Sequence, residues 1–390
     1  MTAVIRAIFI SASAYRFPIL IFLLSRVVFA LIAIVVNSAL PTPDLERSIW
    51  YQWDSGWYLT IAQDGYRYVA ESQSAVAFFP LLPVLINALT PLFGSNEIAG
   101  LAITNVAFCT ALMFIYRLTL LEAPDDPNAA EHTVLYLAFH PAALFFSLIY
   151  TESLYLVVLA GALYAARRRW WGVSVAFGIL CSATRIVGIF VFVFVALEWA
   201  RSYGWTLHRF FKIEAWRGLL RGLRQSFPAV LAIGLIPFGL FSHMAYLQRA
   251  FGDPWLFRNV QSTWGRSVDA PFVASFGEIR TVFDTLTSGG TISLSTALNV
   301  GVCLLIIPLI IWTWRRLGSS YGLFSILTYV VAISTSLTSS LRYSAVMIPI
   351  FMALGLWSSK RRNTHYGILL LSFTLYMMLV ILFLQDIYFE

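Results

Sequence analysis

The sequence predicts an all-α, polytopic membrane protein, and three observations carry that prediction. Of its residues 59% are hydrophobic and only 12% charged, a balance foreign to soluble folds of this length. Apolar runs of spanning length recur along the chain, beginning with Phe17 to Val36. The basic residues sit in short clusters between those runs. The net charge of +7 therefore reads as cytoplasmic loops and excludes a nucleic-acid surface as its cause.

The first run follows Arg6 and Arg16, is too long for a signal-peptide core and lacks a small-residue cleavage site. It is read as a retained span at about 16–38. The loop from Pro41 to Glu71 holds Asp44, Glu46, Asp54, Asp64 and Glu71 against Arg47 and Arg67, so it suits the outer side. Basic clusters at Arg167 to Arg169, Arg201 to Arg224, Arg315-Arg316 and Lys360 to Arg362 belong on the cytoplasmic side. Parity then settles two segments. Phe78 to Phe93 contains Pro80, Pro83 and Pro91, a poor continuous helix, and is read as a second interfacial helix in an outer region 39–97. Trp171 to Ala200 must be two short helices turning near Arg185, each about 21 Å at 1.5 Å per residue.

Further spans are predicted at about 98–121, 132–150, 152–166, 171–184, 187–200, 227–250, 292–314, 320–338, 342–358 and 364–384. That gives about eleven crossings, with the amino terminus cytoplasmic and the carboxyl terminus outside. A second outer loop, 252–290, carries Asp253, Asp269, Glu278 and Asp284 against Arg258, Arg266 and Arg280. No short repeat or low-complexity tract divides residues 1–390, which are read as one membrane domain. Cys109, Cys181 and Cys303 lie singly in apolar spans, so neither a disulfide framework nor a zinc site is implied.

Polar residues collect at the outer face. In WYQWDSGWYLTIAQDGY, Trp50, Trp53, Asp54, Trp57, Tyr58 and Ile61 follow helical spacing and are expected to share one face at the lipid interface. A carboxylate on such a face is costly unless it works or is paired, although an Asp can also cap or snorkel. Asp64 precedes Gly65, a helix stop, where the helix dipole disfavours it; a plain loop Asp is the alternative. His140 and Glu152 bracket a Pro-containing turn, where His140 can be a turn residue and Glu152 a first-turn cap. Arg185 sits in SATRIVG, Trp264 and Arg266 in GDPWLFRNVQSTWGR, and Arg342 and Tyr343 after SLTSSL. Arginines around a carboxylate at headgroup depth suit a lipid phosphate held beside a general base, with Arg185 and Arg342 alternatively snorkelling or pairing with Glu152. No GxGxxG, Walker motif, HExxH or CxxC is present, so a nucleotide-driven mechanism finds no support.

These segments, with AFFPLLP, HPAALFFSLIYTESLYL and SSLRY…IP, resemble in order the PIG-V family of mannosyltransferases, glycosyltransferase family 76, of the GT-C membrane fold. The resemblance runs from about residue 50 to 350 and agrees with two juxtamembrane helices in the first outer loop. It implies a polyprenyl-phosphate (dolichyl-phosphate-type) mannose donor, a lipid-linked or glycan acceptor, and Asp54 as catalytic base. Two departures from the family pattern stand out: His140 replaces an Asn before the Pro, and Ile186-Val187 replaces a polar pair. The acceptor is accordingly left open, and the eukaryotic glycosylphosphatidylinositol role is not carried over.

The function expected is an inverting lipid-phosphate-dependent glycosyltransferase. Arg185, Arg342 and Arg266 would hold phosphate, Trp53 and Trp57 would pack sugar or lipid, and Asp64, His140, Glu152, Trp264 and Tyr343 would contribute substrate contacts. A divalent metal is left open, though no cage of carboxylates is visible. The compact length implies a prokaryotic cell membrane, with the endoplasmic reticulum membrane as the alternative. A polytopic transporter or lipid-linked sugar flippase is the competing class; it would put such charges at mid-membrane between repeats, and here they crowd one face.

Overall fold

The computed structural model describes residues 15–39, 53–267, 270–385 and 387. Trp50 of the aromatic stripe lies outside them, as do Arg6, Asp44, Glu46, Arg47 and Asp269. Among the described residues every regular element is helical.

The long apolar runs become long helices: α1 (Arg16–Ala39), then, beyond the first loop, α4 (Asn96–Glu122). Between them lie α2 (Asp54–Asp64) and α3 (Leu81–Phe93). Gly94, at φ 84, closes α3 in the left-handed region, and Ser95 starts α4 by accepting the Ile98 N–H. The predicted span at 132–150 is not one helix. α5 (Pro127–Ala138) stops two residues before His140-Pro141, since a residue ahead of proline is pushed out of helical geometry. A turn and a 3-10 segment then lead to α6 (Thr151–Arg167).

α6 is the central pillar. Nearly all its residues are buried, and it packs along α4 and against α7 (Trp171–Thr184). Its two ends carry opposite charges, Glu152 and Arg167, about 22 Å apart by helical rise. Arg167 pairs with Glu122 of α4 and, at 2.7 Å, with Glu198 of α8 (Val191–Ser202), while Tyr321 donates to Glu122. The predicted turn at Arg185 is present: α7 and α8 are joined by a 3-10 segment over Ile186–Phe190. Gly188 permits it. A Cβ there would stand 2.1 Å from the Cys181 carbonyl oxygen.

Beyond α8 come α9 (Ile213–Gln225) and a broken pair, α10 (Phe227–Ile233) and α11 (Phe238–Phe251), bent by 44° where a continuous span at 227–250 was predicted. Pro237 at the break removes a helical N–H. The loop predicted to be the second outer one folds into α12 (Leu256–Asn259), a 3-10 turn over Val260–Trp264, and α13 (Val273–Thr287). The chain continues through α14 (Leu294–Leu317), α15 (Ser319–Ile333), the short α16 (Ser340–Ser344), α17 (Ile348–Ser358) and α18 (Arg362–Leu384).

Four of these helices are long and apolar enough to cross a membrane, or five if the bent pair is one span, so the chain is an integral membrane protein. The predicted count of about eleven crossings also included shorter segments. Several of these, among them α7, α15 and α17, are apolar helices of 10–17 residues.

Candidate active site

Several helix ends meet at the Glu152 end of α6. Asp54 and Glu152 occupy the first turns of α2 and α6, where the positive end of each helix dipole favours a carboxylate. Glu152 is fully buried, and its Oε1 accepts from Arg342 Nε at 2.5 Å and from Arg185 Nη1 at 2.6 Å. The same Arg342 reaches Asp54 through Nη1, 2.6 Å from Oδ2. One guanidinium therefore ties together two carboxylates lying 98 positions apart in the chain. Its charge also rests on the rings of Tyr150 and Phe145, at 4.5 and 5.1 Å. The Tyr150 hydroxyl accepts the Asp54 N–H at 3.3 Å, fixing the start of α2. Trp53 and Ser339, just ahead of α2 and α16, are non-glycine residues at φ 55 and 65, a strained conformation beside both arms of the ion pair.

A cavity of about 440 Å³ opens beside this cluster. Asp54, Arg185, Arg342, Arg258 and Arg266 all line it, so among the described residues its wall holds four guanidiniums and one carboxylate. Arg185 and Arg266 both lie against the Tyr343 ring, at 5.4 and 5.6 Å. Arg266 has no carboxylate partner among the described residues. The opposite wall is aromatic: Trp264 meets Phe78 and Trp57 edge-on, each at 5.6 Å between centroids, and Trp57 stacks on Phe78. Tyr58 lies beneath, its hydroxyl 3.3 Å from Thr151 Oγ1. Burial first, then the Asp54 and Glu152 carboxylates, push the Tyr58 phenol well up, so it stays a neutral hydroxyl. Arg342 holds one Asp54 oxygen; the other has no partner among the described residues, and Asp54 lines the cavity. Such a site can neutralise a phosphate with planar donors and take a proton from a hydroxyl beside it.

A divalent cation finds no cage here. Among the described residues no three His, Cys, Asp or Glu side chains group together, and Arg342 already occupies the position between Asp54 and Glu152.

A model of the family described as Mannosyltransferase (PIG-V) matches residues 33–264, more than half of the chain. The chain belongs to the PIG-V mannosyltransferase family. GPI mannosyltransferase 2 of Drosophila pseudoobscura pseudoobscura is 29% identical over 113 residues, 26% of this chain and 24% of that protein. GPI mannosyltransferase 2 of Drosophila melanogaster is 26% identical over 165 residues, 34% of this chain and 36% of that protein. The match thus spans well under half of either relative. Among solved structures, ArnT from Cupriavidus metallidurans bound to undecaprenyl phosphate is similar over 93% of this chain and 76% of its own, at 15% identity and TM-score 0.46. The Archaeoglobus fulgidus oligosaccharyltransferase in its apo form is similar over 92% and 56%, at 13% identity and TM-score 0.45.

In this PIG-V chain the residues singled out by sequence divide cleanly. Asp54, Arg185, Trp264, Arg266, Arg342 and Tyr343 share the cavity wall, Glu152 supports them from behind, and Trp57 packs behind Trp264 and Phe78. Trp53, Asp64 and His140 are not on that wall. Trp53 is not on the helical face predicted for it: the helix begins one residue later, at Asp54. That face is also not lipid-exposed, because Tyr58 and Ile61 are buried against the protein. Asp64 does end α2, on the exposed side, 3.2 Å from Arg67. His140 ties two turns together: the Ala142 N–H donates to Nδ1, which leaves Nε2 to donate to Ser344 Oγ at 3.2 Å. Tyr150, Phe78, Arg258 and Gln261 were not singled out, although each lies inside a quoted motif.

Proposed function

We propose that this PIG-V family chain transfers mannose from a polyprenyl-phosphate donor to a hydroxyl of a lipid-linked or glycan acceptor, with inversion at the sugar carbon. The observation that carries the reading is Asp54, the one cavity-lining carboxylate among the described residues, set among arginines in a chain built into the membrane. Asp54 accepts the acceptor O–H proton as that oxygen bonds to the anomeric carbon. The bond from that carbon to the phosphate oxygen breaks, and the lipid phosphate leaves with the electron pair. Arg185 and Arg266, both set against Tyr343, receive the phosphate charge; Arg342 orients Asp54. Glu152 is a positioning residue for both Arg185 and Arg342. Trp264 and Phe78, backed by Trp57, offer rings to a sugar or a prenyl chain.

The charge bias puts this end of the protein outside the cell, with the amino terminus cytoplasmic and the carboxyl terminus outside. A prokaryotic cell membrane is the proposed location, and residues 1–390 act as one membrane domain. The carrier class agrees with the undecaprenyl phosphate bound to ArnT. Purified protein in proteoliposomes, given labelled polyprenyl-phosphate mannose and a membrane lipid extract, is expected to form a labelled mannosylated product. Polyprenyl-phosphate glucose serves as the control donor. Equal transfer from both donors overturns the mannose reading. Movement of labelled donor across the bilayer without product favours a flippase instead.

A further inference from the structure

The most strongly charged segment of the chain takes no part in the cavity. Between residues 201 and 225 stand six arginines and lysines against one acid, Glu214. α9 lies within this segment, and its position follows from the fold. α8 begins just after the Arg185 turn and runs for 12 residues, about 18 Å, before the chain enters α9. α9 therefore sits at the end of the bundle away from the cavity, next to the Arg167–Glu198 cluster, where Arg201 reaches Glu198 at 3.4 Å.

The helix has three distinct faces. Ala215, Gly218 and Gly222 form the docking face: a Cβ on Gly218 would stand 2.3 Å from the Tyr203 carbonyl oxygen, and one on Gly222 2.6 Å from the Tyr203 ring. The far end is fixed by Ser226, whose Oγ accepts from Trp199 Nε1 at 2.9 Å and from Tyr203 Oη at 3.1 Å. The second face is an apolar strip left uncovered, with Ile213 63%, Trp216 39% and Leu220 58% exposed at helical spacing. Phe211, just ahead of the helix, is 97% exposed. The third face adjoins the second and carries Arg217, Arg221 and Arg224. All three are exposed, and none has a carboxylate partner among the described residues.

An apolar strip flanked by a row of arginines, held rigidly between two apolar helices, matches the boundary between acyl chains and phosphates. The excess of six cations over one anion selects an anionic headgroup over a zwitterionic one, and guanidinium forks suit phosphate oxygens. We infer that α9 lies in the headgroup plane of the leaflet remote from the cavity and binds anionic phospholipid through Arg217, Arg221 and Arg224. This inference stands apart from the proposed transfer reaction.

The test uses the full chain in nanodiscs of equimolar phosphatidylcholine and phosphatidylglycerol. Lipid retained after detergent extraction is quantified for the wild type and for Arg217→Gln/Arg221→Gln/Arg224→Gln. Wild type should retain phosphatidylglycerol in excess. Each arginine near an anionic surface is worth about fivefold, so the triple variant should lose that excess by about fivefold or more. A nitroxide on Leu220→Cys, with Cys109, Cys181 and Cys303 replaced, reports depth: it should be quenched from the lipid phase, and one on Glu214→Cys from water. Unchanged phosphatidylglycerol enrichment in the triple variant overturns the inference. So does a Leu220 label shielded from both phases, which would mean that protein covers the strip.

Discussion

Removing the Glu152 carboxylate strands the buried cation of Arg185 and leaves Arg342 with Asp54 alone. Oε1 accepts from Arg342 at 2.5 Å and from Arg185 at 2.6 Å, and the two arginine side chains are only 8% and 13% exposed. Breaking a buried pair by deleting one partner costs about 3–5 kcal/mol, because the remaining charge keeps its desolvation cost without compensation. Glu152→Ala should therefore lose about 3–5 kcal/mol in unfolding from mixed micelles, a large part of a typical domain's stability. Deleting the stranded cation, Arg185, as well should relieve part of that loss. The double variant Glu152→Ala/Arg185→Gln is expected to be more stable than the two single changes added together, by about 2 kcal/mol. Wild-type stability in Glu152→Ala, or strict additivity in the double variant, would refute this account of the cluster.

Arg266→Gln should raise the KM for the lipid-phosphate donor by about tenfold or more with little change in melting temperature, because the lost contact is to the ligand's charge; steady-state kinetics read this directly. Gly188→Ala forces a Cβ to 2.1 Å from the Cys181 carbonyl, so the Arg185 turn must open, at about 1–3 kcal/mol and with loss of transfer; a melt and a rate measurement check it. Glu278 accepts the Leu337 N–H at 3.3 Å, just ahead of the Arg342 helix, and burial pushes its carboxyl up against the lowering effect of that hydrogen bond. A raised carboxyl stabilises the fold below its unfolded value, and that contribution fades as pH rises through the folded value. Melting curves across the acid range should lose this component in Glu278→Gln.

Uniform apolar runs were the most legible part of the sequence, because span length follows from hydropathy alone. The expected 16–38, 98–121 and 364–384 correspond to α1 at Arg16–Ala39, α4 at Asn96–Glu122 and α18 at Arg362–Leu384. Charge parity also placed the turn at Arg185, where composition alone reads one long helix. Hydropathy is blind to helix continuity, so the breaks at Ala138 and between Ile233 and Phe238 were missed although His140-Pro141 and Pro237 mark them. The aromatic stripe around Asp54 showed helical spacing but not which environment its face meets. Tertiary packing supplies that, against Phe78 and Trp264 instead of lipid. At the site, the residue types, the motifs and the pairing of Glu152 with Arg185 or Arg342 as one alternative were legible. The bridge from Arg342 to Asp54, 288 positions away, was not, because only the packing of α2 and α16 beside α6 brings those groups together.

The central claim is that Asp54 takes the acceptor proton, and Asp54→Asn tests it most directly. The amide keeps the side chain's size and an oxygen for Arg342 but removes the base. With labelled polyprenyl-phosphate mannose in proteoliposomes, the account predicts that Asp54→Asn lowers the transfer rate by about a hundredfold or more while the protein stays folded and inserted. Transfer by Asp54→Asn at the wild-type rate would contradict it.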